Sequence, residues 1–407
     1  MTGPLEGIRV LDLTRILAGP WCTQLLGDLG AEIIKIEHPR GGDDTRHWGP
    51  PWLRDSEGRQ TDQAAYFFCA NRNKYSVTLN LKTEQGVDIL RQLVAKSDVF
   101  VENFKTGGLR KMGLDYPSLS SINPDLIYLS ITGFGQTGPM SDQPGYDYMI
   151  QGLGGLMSIT GESDDRPGGG PQRVGVPISD VNTGFYGAAA ILSALYHRAM
   201  GGGGQHIDLA LLDCQVGWLV NQAMNYLIGE EVPARTGNAH PNLVPYQPFQ
   251  ASDGMVIIAV GNDSQFRSLC RLLEAPELGS DPRYSTNAAR VEHREELARI
   301  LAGRILLQPV GHWIRVLPES GVPCSRINNI KEVFEHPQVQ ARNMRIDLPH
   351  PLSGTVPSVA NPIRFSQTGV TYRNAPPMLG QHSAQILQDI LGYEAATISE
   401  LSRNGVV

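Results

Sequence analysis

Short apolar runs alternate with amphipathic stretches over the first third of the chain. Residues 8–14 (IRVLDLT) read as a buried strand, and Pro20 opens PWCTQLLGDLGA as a helix in the favoured first-turn position. Residues 32–37 (EIIKIE) are a second strand, which makes a βαβ unit whose parallel crossover is right-handed by default. The pattern repeats as strand 76–81, helix 83–96, strand 98–101, helix 106–112 and strand 126–132. Such alternation predicts an α/β fold, an open and mostly parallel Rossmann-like sheet flanked by helices on both faces. Long helical stretches over 178–200 and 207–228 follow.

Beyond residue 230 the texture changes. Residues 246–260 predict a hairpin turning at Ser252-Asp253-Gly254, followed by helices near 263–273, 291–306 and 309–319 and a strand around 324–328. The expected division is a large domain over 1–228, a smaller inserted α+β domain over 229–325, and a return to the large domain over 326–407. The returning text is PSVANPIRF, LGQHSAQILQDILG and ISELSRNGVV.

Charge and cysteine usage narrow the function. The 407 residues carry a formal charge of −7 with acids and bases interspersed, which argues against nucleic acid or an anionic membrane as the main partner. Cys22, Cys69, Cys214, Cys270 and Cys324 are scattered, odd in number and form no CxxC pair. That pattern speaks against a disulfide framework or a zinc site and for a reducing compartment, with a cytoplasmic enzyme expected. No apolar run reaches the roughly 18 residues of a membrane span, and MTGPLEGIRVLDLT enters a strand with neither a signal peptide nor an Arg-rich transit pattern. The first βαβ unit, with Glu37 closing its second strand, imitates a dinucleotide site. Its turn, Leu17-Ala18-Gly19-Pro20, lacks the GxGxxG spacing that lets a pyrophosphate approach the backbone. Gly168-Gly169-Gly170 is no P-loop either.

Asp180, in VGVPISDVNTG, stands at the mouth of the small-residue helical stretch that ends at Met200. An acid there is ordinarily an N-cap, a task for which Ser179, Asn182 and Thr183 compete. Arg15 lies at the end of the first strand, where ligands gather in such sheets. It is a candidate partner for an anionic ligand group, since a buried anion needs a cation. The alternative is an Arg–Asp pair that holds the loop.

Several separated motifs then agree. In order, LEGIRVLDLTRILAGP, GDLGAEIIKIEHPRGGDDTR, NRNKYSVTLNLK, VFVENF, LIYLSITGFGQTGP and ISDVNTG resemble the class III CoA-transferases, the formyl-CoA transferase-like family. HPNLVPYQPF, GVPCSRINN and LGQH extend the likeness over nearly the whole chain. GDDTRHWGPPW, TGNAHPNLVPYQ and SRNGVV are most similar to the branch that acts on succinyl-CoA and glutarate.

The resemblance implies Asp180 as nucleophile and acyl-CoA with small carboxylic acids as substrates, without a prosthetic group or metal. It implies CoA contacts at Leu17, Ala18, His38, Leu79, Asn80, Leu81, Lys82, Asn103, Phe104, Lys105, Lys111 and Tyr146. Arg15 and Arg46 bear on substrate choice, with Arg15 the preferred clamp for the carboxylate that a diacid leaves unreacted. His240 and Tyr246, in AHPNLVPYQ, are candidates for the acyl pocket, His240 equally well a structural residue. It also implies an interlocked homodimer. Leu17 replaces a polar amide of formyl-CoA transferase, and His38 and Lys111 replace arginines, so a point charge stands where a bidentate fork would be. The rival racemase branch carries Gly-His-Asp where this chain has Gly145-Tyr146-Asp147, and a phenol of reference pKa about 10 is a poor base. A third reading is a CoA-binding protein without turnover.

Overall fold

The computed structural model describes residues 3–407. Its strands begin with β1 (Arg9–Asp12) and, after helix α1 (Ala18–Asp28), β2 (Glu32–Glu37). A small hairpin, β3 (Trp52–Arg54) and β4 (Gln60–Ala64), precedes β5 (Lys74–Thr78), α2 (Glu84–Val94), β6 (Val99–Glu102) and β7 (Ile127–Thr132). Then come α3 (Asp147–Leu153), α4 (Ile178–Ala199), β8 (Gln205–Ala210) and α5 (Leu211–Gly217). Six strands form one sheet in the order β5-β2-β1-β6-β7-β8, every neighbouring pair parallel.

Alternate residues of each strand serve opposite faces, as the period of two requires. Val10, Ile33, Val101 and Leu129 pack with Cys22, Leu26, Ala188 and Ile191 of α1 and α4 on one side. Leu11, Ile34, Val77 and Phe100 pack with Leu90, Leu93 and Leu387 on the other. Burial on both faces explains why these strands read as nearly continuous apolar runs.

The stretch 207–228 is not one helix. Gln205–Ala210 is the edge strand β8, registered against β7 from Ile127↔Gln205 to Thr132↔Ala210. Its QHIDLA text alternates with period two, the strand signature, and helix resumes only at Leu211. The expected helix over 106–112 shrinks to one 3₁₀ turn, Leu109–Met112, closed by Gly113 at φ 60°. The glycine pair 107–108 before it disfavours a helical start.

The chain falls into two compact units. The first holds residues 1–156, 174–221 and 340–407; the second holds 157–173 and 222–339. The second unit has a three-stranded antiparallel sheet of β9 (Tyr246–Ala251), β10 (Gly254–Ala259) and β11 (Cys324–Arg326) in the order β11-β10-β9. Phe249, Val256, Ile258, Leu297, Leu301 and Trp313 fill its core. In the returning segment the hairpin β12 (Arg345–His350) and β13 (Gly354–Val359) precedes two helices, α6 (Ser383–Leu391) and α7 (Ala395–Arg403), which cover the α2 face of the large sheet. Among the described residues no helix is long and apolar enough to cross a membrane.

Candidate active site

The loop leaving β1 is held by buried charge. Asp12 Oδ1 accepts hydrogen bonds from Thr14 N (2.9 Å) and Thr14 Oγ1 (2.5 Å), while its Oδ2 takes Thr23 Oγ1 (2.6 Å) and Lys74 Nζ (3.0 Å). Lys35 Nζ donates to Thr14 O (2.8 Å) and Asp43 Oδ2 (2.9 Å), and Asp43 Oδ1 accepts from Ile16 N (3.2 Å). The four charged side chains Asp12, Lys35, Asp43 and Lys74 are fully buried, which is tolerable only because each has opposite charges and hydrogen bonds around it. Burial pulls Lys74 down to about 8; burial also pushes Asp12 up, but Lys74 and Lys35 outweigh it and hold the acid at about 2. Within this frame Ile16 adopts φ 71°, the left-handed region that a β-branched side chain rarely enters. The next residues, Leu17 and Ala18, open α1, whose first N–H groups have no acceptor inside the helix. Gly19 is needed for close approach: a Cβ there would lie 2.3 Å from the Thr14 side chain.

Asp180 sits in the first turn of α4, whose N-cap is Pro177. It is therefore not the cap that its local sequence suggests. This helix end is capped from elsewhere in the chain: Asp147 Oδ1, on α3, accepts from Ser179 N (2.8 Å) and Asp180 N (3.3 Å). The neighbouring polar groups are occupied too. Ser179 Oγ donates to Gln215 Oε1 (2.7 Å), Asn182 Nδ2 to Cys214 O (3.1 Å), and Thr183 Oγ1 to Ser179 O (2.7 Å). The Asp180 carboxyl is left with no hydrogen-bond donor among the described residues while being only 9 % exposed. Burial, with the like charge of Asp147 added, pushes it up to about 7. A small-residue helix face lets α4 lie close to α1, since a Cβ on Gly184 would come within 2.8 Å of Ala18 O.

Asp180 opens into a cavity of about 400 Å³ at the carboxyl edge of the sheet. The structure brings Arg15, Leu17, Ala18, Asn103, Phe104, Lys105 and Tyr146 together with Asp180 around this space. Asn103 fastens the loops to each other, its Oδ1 accepting from Arg15 N (3.0 Å) and its Nδ2 donating to Arg15 O (2.8 Å). Glu102 Oε2 accepts from Phe104 N (2.8 Å) and so fixes the second loop; burial pushes Glu102 up to about 7.

The remaining expected CoA residues do not line that cavity, but each follows a strand or loop at the same edge, where ligands of open α/β sheets bind. His38 follows β2, exposed, its Nδ1 accepting from Arg40 N (3.0 Å). Leu79 is buried and Leu81 packs on the core, while Asn80 Oδ1 accepts from Lys82 N (3.2 Å). Lys82 and Lys111 are exposed.

Arg46 departs from expectation. Its Nε and Nη2 donate to the two oxygens of Glu37 at 2.8 Å each, its Nη1 donates to Pro377 O (3.0 Å), and its guanidinium lies 3.7 Å from the Phe67 ring centre. Its side chain is buried, and these three donors are committed to the framework. Arg15 is the contrary case, meeting Asp44 Oδ2 at 3.1 Å in a pair about half exposed on both sides. His240 and Tyr246 belong to the second unit, where His240 N donates to Tyr246 O (3.0 Å) and the rings lie 5.3 Å apart. Burial, then the charge of Arg294, lowers His240 below the usual imidazole value.

Sequence reasoning did not assign roles to Asp147, Lys35 or Asp43. Asp147 was visible inside Gly-Tyr-Asp and Asp43 inside the GGDD run, but their tasks depend on distant partners.

The molecule is an open parallel α/β sheet with a nearly buried carboxyl facing a cavity at the edge where such sheets bind ligands. The chain matches the description "CoA-transferase family III" over residues 5–383, and it belongs to that family: it is a class III CoA-transferase. It is 49 % identical over 387 residues to the succinate–glutarate CoA-transferase of Agrobacterium fabrum, covering 95 % of this chain and 96 % of that one. The succinyl-CoA:glutarate CoA-transferase of Homo sapiens is 43 % identical, with 99 % and 90 % covered. The crystal structure of a CAIB/BAIF family protein from Brucella suis superimposes with a TM-score of 0.84 at 50 % identity, covering 96 % of this chain and all of that one (100 %).

Proposed function

We propose that this enzyme moves CoA from succinyl-CoA to glutarate, with Asp180 carrying the acyl group and then CoA. The observation that carries the mechanism is the Asp180 carboxyl itself, nearly buried, without a hydrogen-bond donor, and facing a cavity. The named relatives support the acid pair.

The steps conserve the thioester. The Asp180 carboxylate attacks the donor carbonyl and expels CoA thiolate, leaving a mixed anhydride. The thiolate attacks the aspartyl carbonyl, releasing the donor acid and forming an aspartyl-CoA thioester. The acceptor carboxylate attacks that thioester and expels CoA thiolate, leaving a second mixed anhydride; the thiolate then attacks the acceptor's acyl carbonyl, forming the new thioester and releasing the Asp180 carboxylate. Each tetrahedral stage gathers negative charge on oxygen, which backbone donors of Ala18 and Gly19 at the start of α1 are suited to receive. Leu79–Lys82, Asn103–Lys105, His38, Lys111 and Tyr146 are assigned to CoA, with the lysines on its phosphates. Arg15 is assigned to the spare carboxylate of the diacid, and His240 and Tyr246 to the acyl group.

The same reading carries a cytoplasmic setting and an interlocked homodimer. Exposed apolar side chains support an oligomer, among them Tyr196 on α4, Met200 at its C-terminal cap, and Leu227 and Ile228 in the second unit. The reaction is tested by mixing enzyme, succinyl-CoA and glutarate and following products by mass spectrometry. Glutaryl-CoA and succinate should appear in equal amounts. Release of free CoA without glutaryl-CoA would contradict the reading.

A further inference from the structure

The backbone of Arg15 is fastened three ways, while its side chain is barely held. Asn103 takes both its N–H and its C=O, and Asp43 takes the next N–H, at Ile16. Among the described residues the guanidinium meets one acceptor, Asp44 Oδ2 at 3.1 Å, with the Phe104 ring 6.0 Å away. Exposed ion pairs of this kind contribute little and exchange readily. Asp44 does not line the Asp180 cavity, whereas Arg15 does, and Lys105 is the other cation there. Asp44 is itself held in place, because it opens the 3₁₀ turn Asp44–His47 directly after Asp43, which is locked to buried Lys35.

We propose that Asp44 is a placeholder for the substrate's spare carboxylate: it holds the Arg15 guanidinium at the cavity edge until a dicarboxylate arrives and takes the same donors. A carboxylate in the cavity offers Arg15 a less hydrated partner than exposed Asp44 does, so the exchange favours diacids over monoacids. The inference rests on the dicarboxylate reading above.

The test is a double-mutant cycle on the full-length enzyme, reading KM and kcat for glutarate with succinyl-CoA as donor. Asp44→Ala should lower the glutarate KM roughly two- to five-fold, because the competitor is gone and its pair was weak. Its kcat should stay near that of the unmodified enzyme, and Asp44→Asn should behave alike. Arg15→Ala should raise KM by roughly ten- to a hundred-fold, and adding Asp44→Ala to it should change nothing further. A higher KM in Asp44→Ala, or an Asp44 effect that persists without Arg15, would overturn the proposal. Failure of the underlying reading looks different, since the unmodified enzyme would then make no glutaryl-CoA.

Discussion

The Asp180 carboxyl keeps its proton up to about 7, first because burial removes water and then because Asp147 brings a like charge. A desolvated carboxylate is a stronger nucleophile than a hydrated one, but only once the proton is lost. kcat/KM should therefore rise as pH passes through about 7 and level off above it, which a pH–rate profile would show. Asp147→Asn removes the like charge but keeps an oxygen for Ser179 N, so the rising limb should move to lower pH. An unmoved limb would mean that burial alone sets the shift. The same proton links to stability. A folded pKa raised above its ordinary value of 3.8 stabilises the fold fully below that value and loses the contribution as pH climbs through about 7. Asp180→Asn should thus unfold at a higher temperature than the unmodified protein at pH 8, with little difference near pH 4, while losing transfer activity by several orders of magnitude. Equal shifts at both pH values would contradict this.

At the scale of elements, the loop between β1 and α1 depends on charge hidden inside the sheet. Lys35→Met leaves Asp43 buried without its cation, and breaking a buried pair in this way costs about 3–5 kcal/mol. Chemical denaturation should show that loss, together with a turnover rate that falls as the Ile16–Ala18 backbone relaxes. Gly184→Ala presses a methyl group onto Ala18 O between α1 and α4 and should cost about 1–3 kcal/mol with slower transfer. How much was legible in the sequence follows from the range of each interaction. The βαβ repeats could be read because periods of two and 3.6 are written in adjacent residues. The period-two text of β8 is only six residues long and runs straight into the helix at Leu211, so a helical reading over 207–228 absorbs it. The capping of α4 was invisible because its acceptor, Asp147, lies 32 residues from the N–H it serves. Lys35 in EIIKIE and Lys74 in KYSVT gave no local sign that their ammonium groups meet Asp43 and Asp12 in the interior.

Over the whole molecule, the resemblance ran nearly from end to end, so Asp180 could be singled out before any geometry was known. The structure adds where that acid stands: Ser179, Asn182 and Thr183 have their side-chain hydroxyl or amide groups bonded elsewhere, and the carboxyl is left to the cavity. It also separates two arginines that looked alike in the sequence, Arg46 committed to Glu37 inside the protein and Arg15 weakly paired beside the cavity. The division into units was less legible, since residues 157–173 join the second unit from a position far upstream of its main segment. The central claim is that one carboxyl, at position 180, becomes acylated in every cycle. Turnover with succinyl-CoA in the presence of hydroxylamine, followed by peptide mapping, tests it most directly. A hydroxamate on Asp180 should form only with acyl-CoA and be absent from Asp180→Asn. Native-rate transfer by Asp180→Asn, or a hydroxamate on another residue alone, would contradict it.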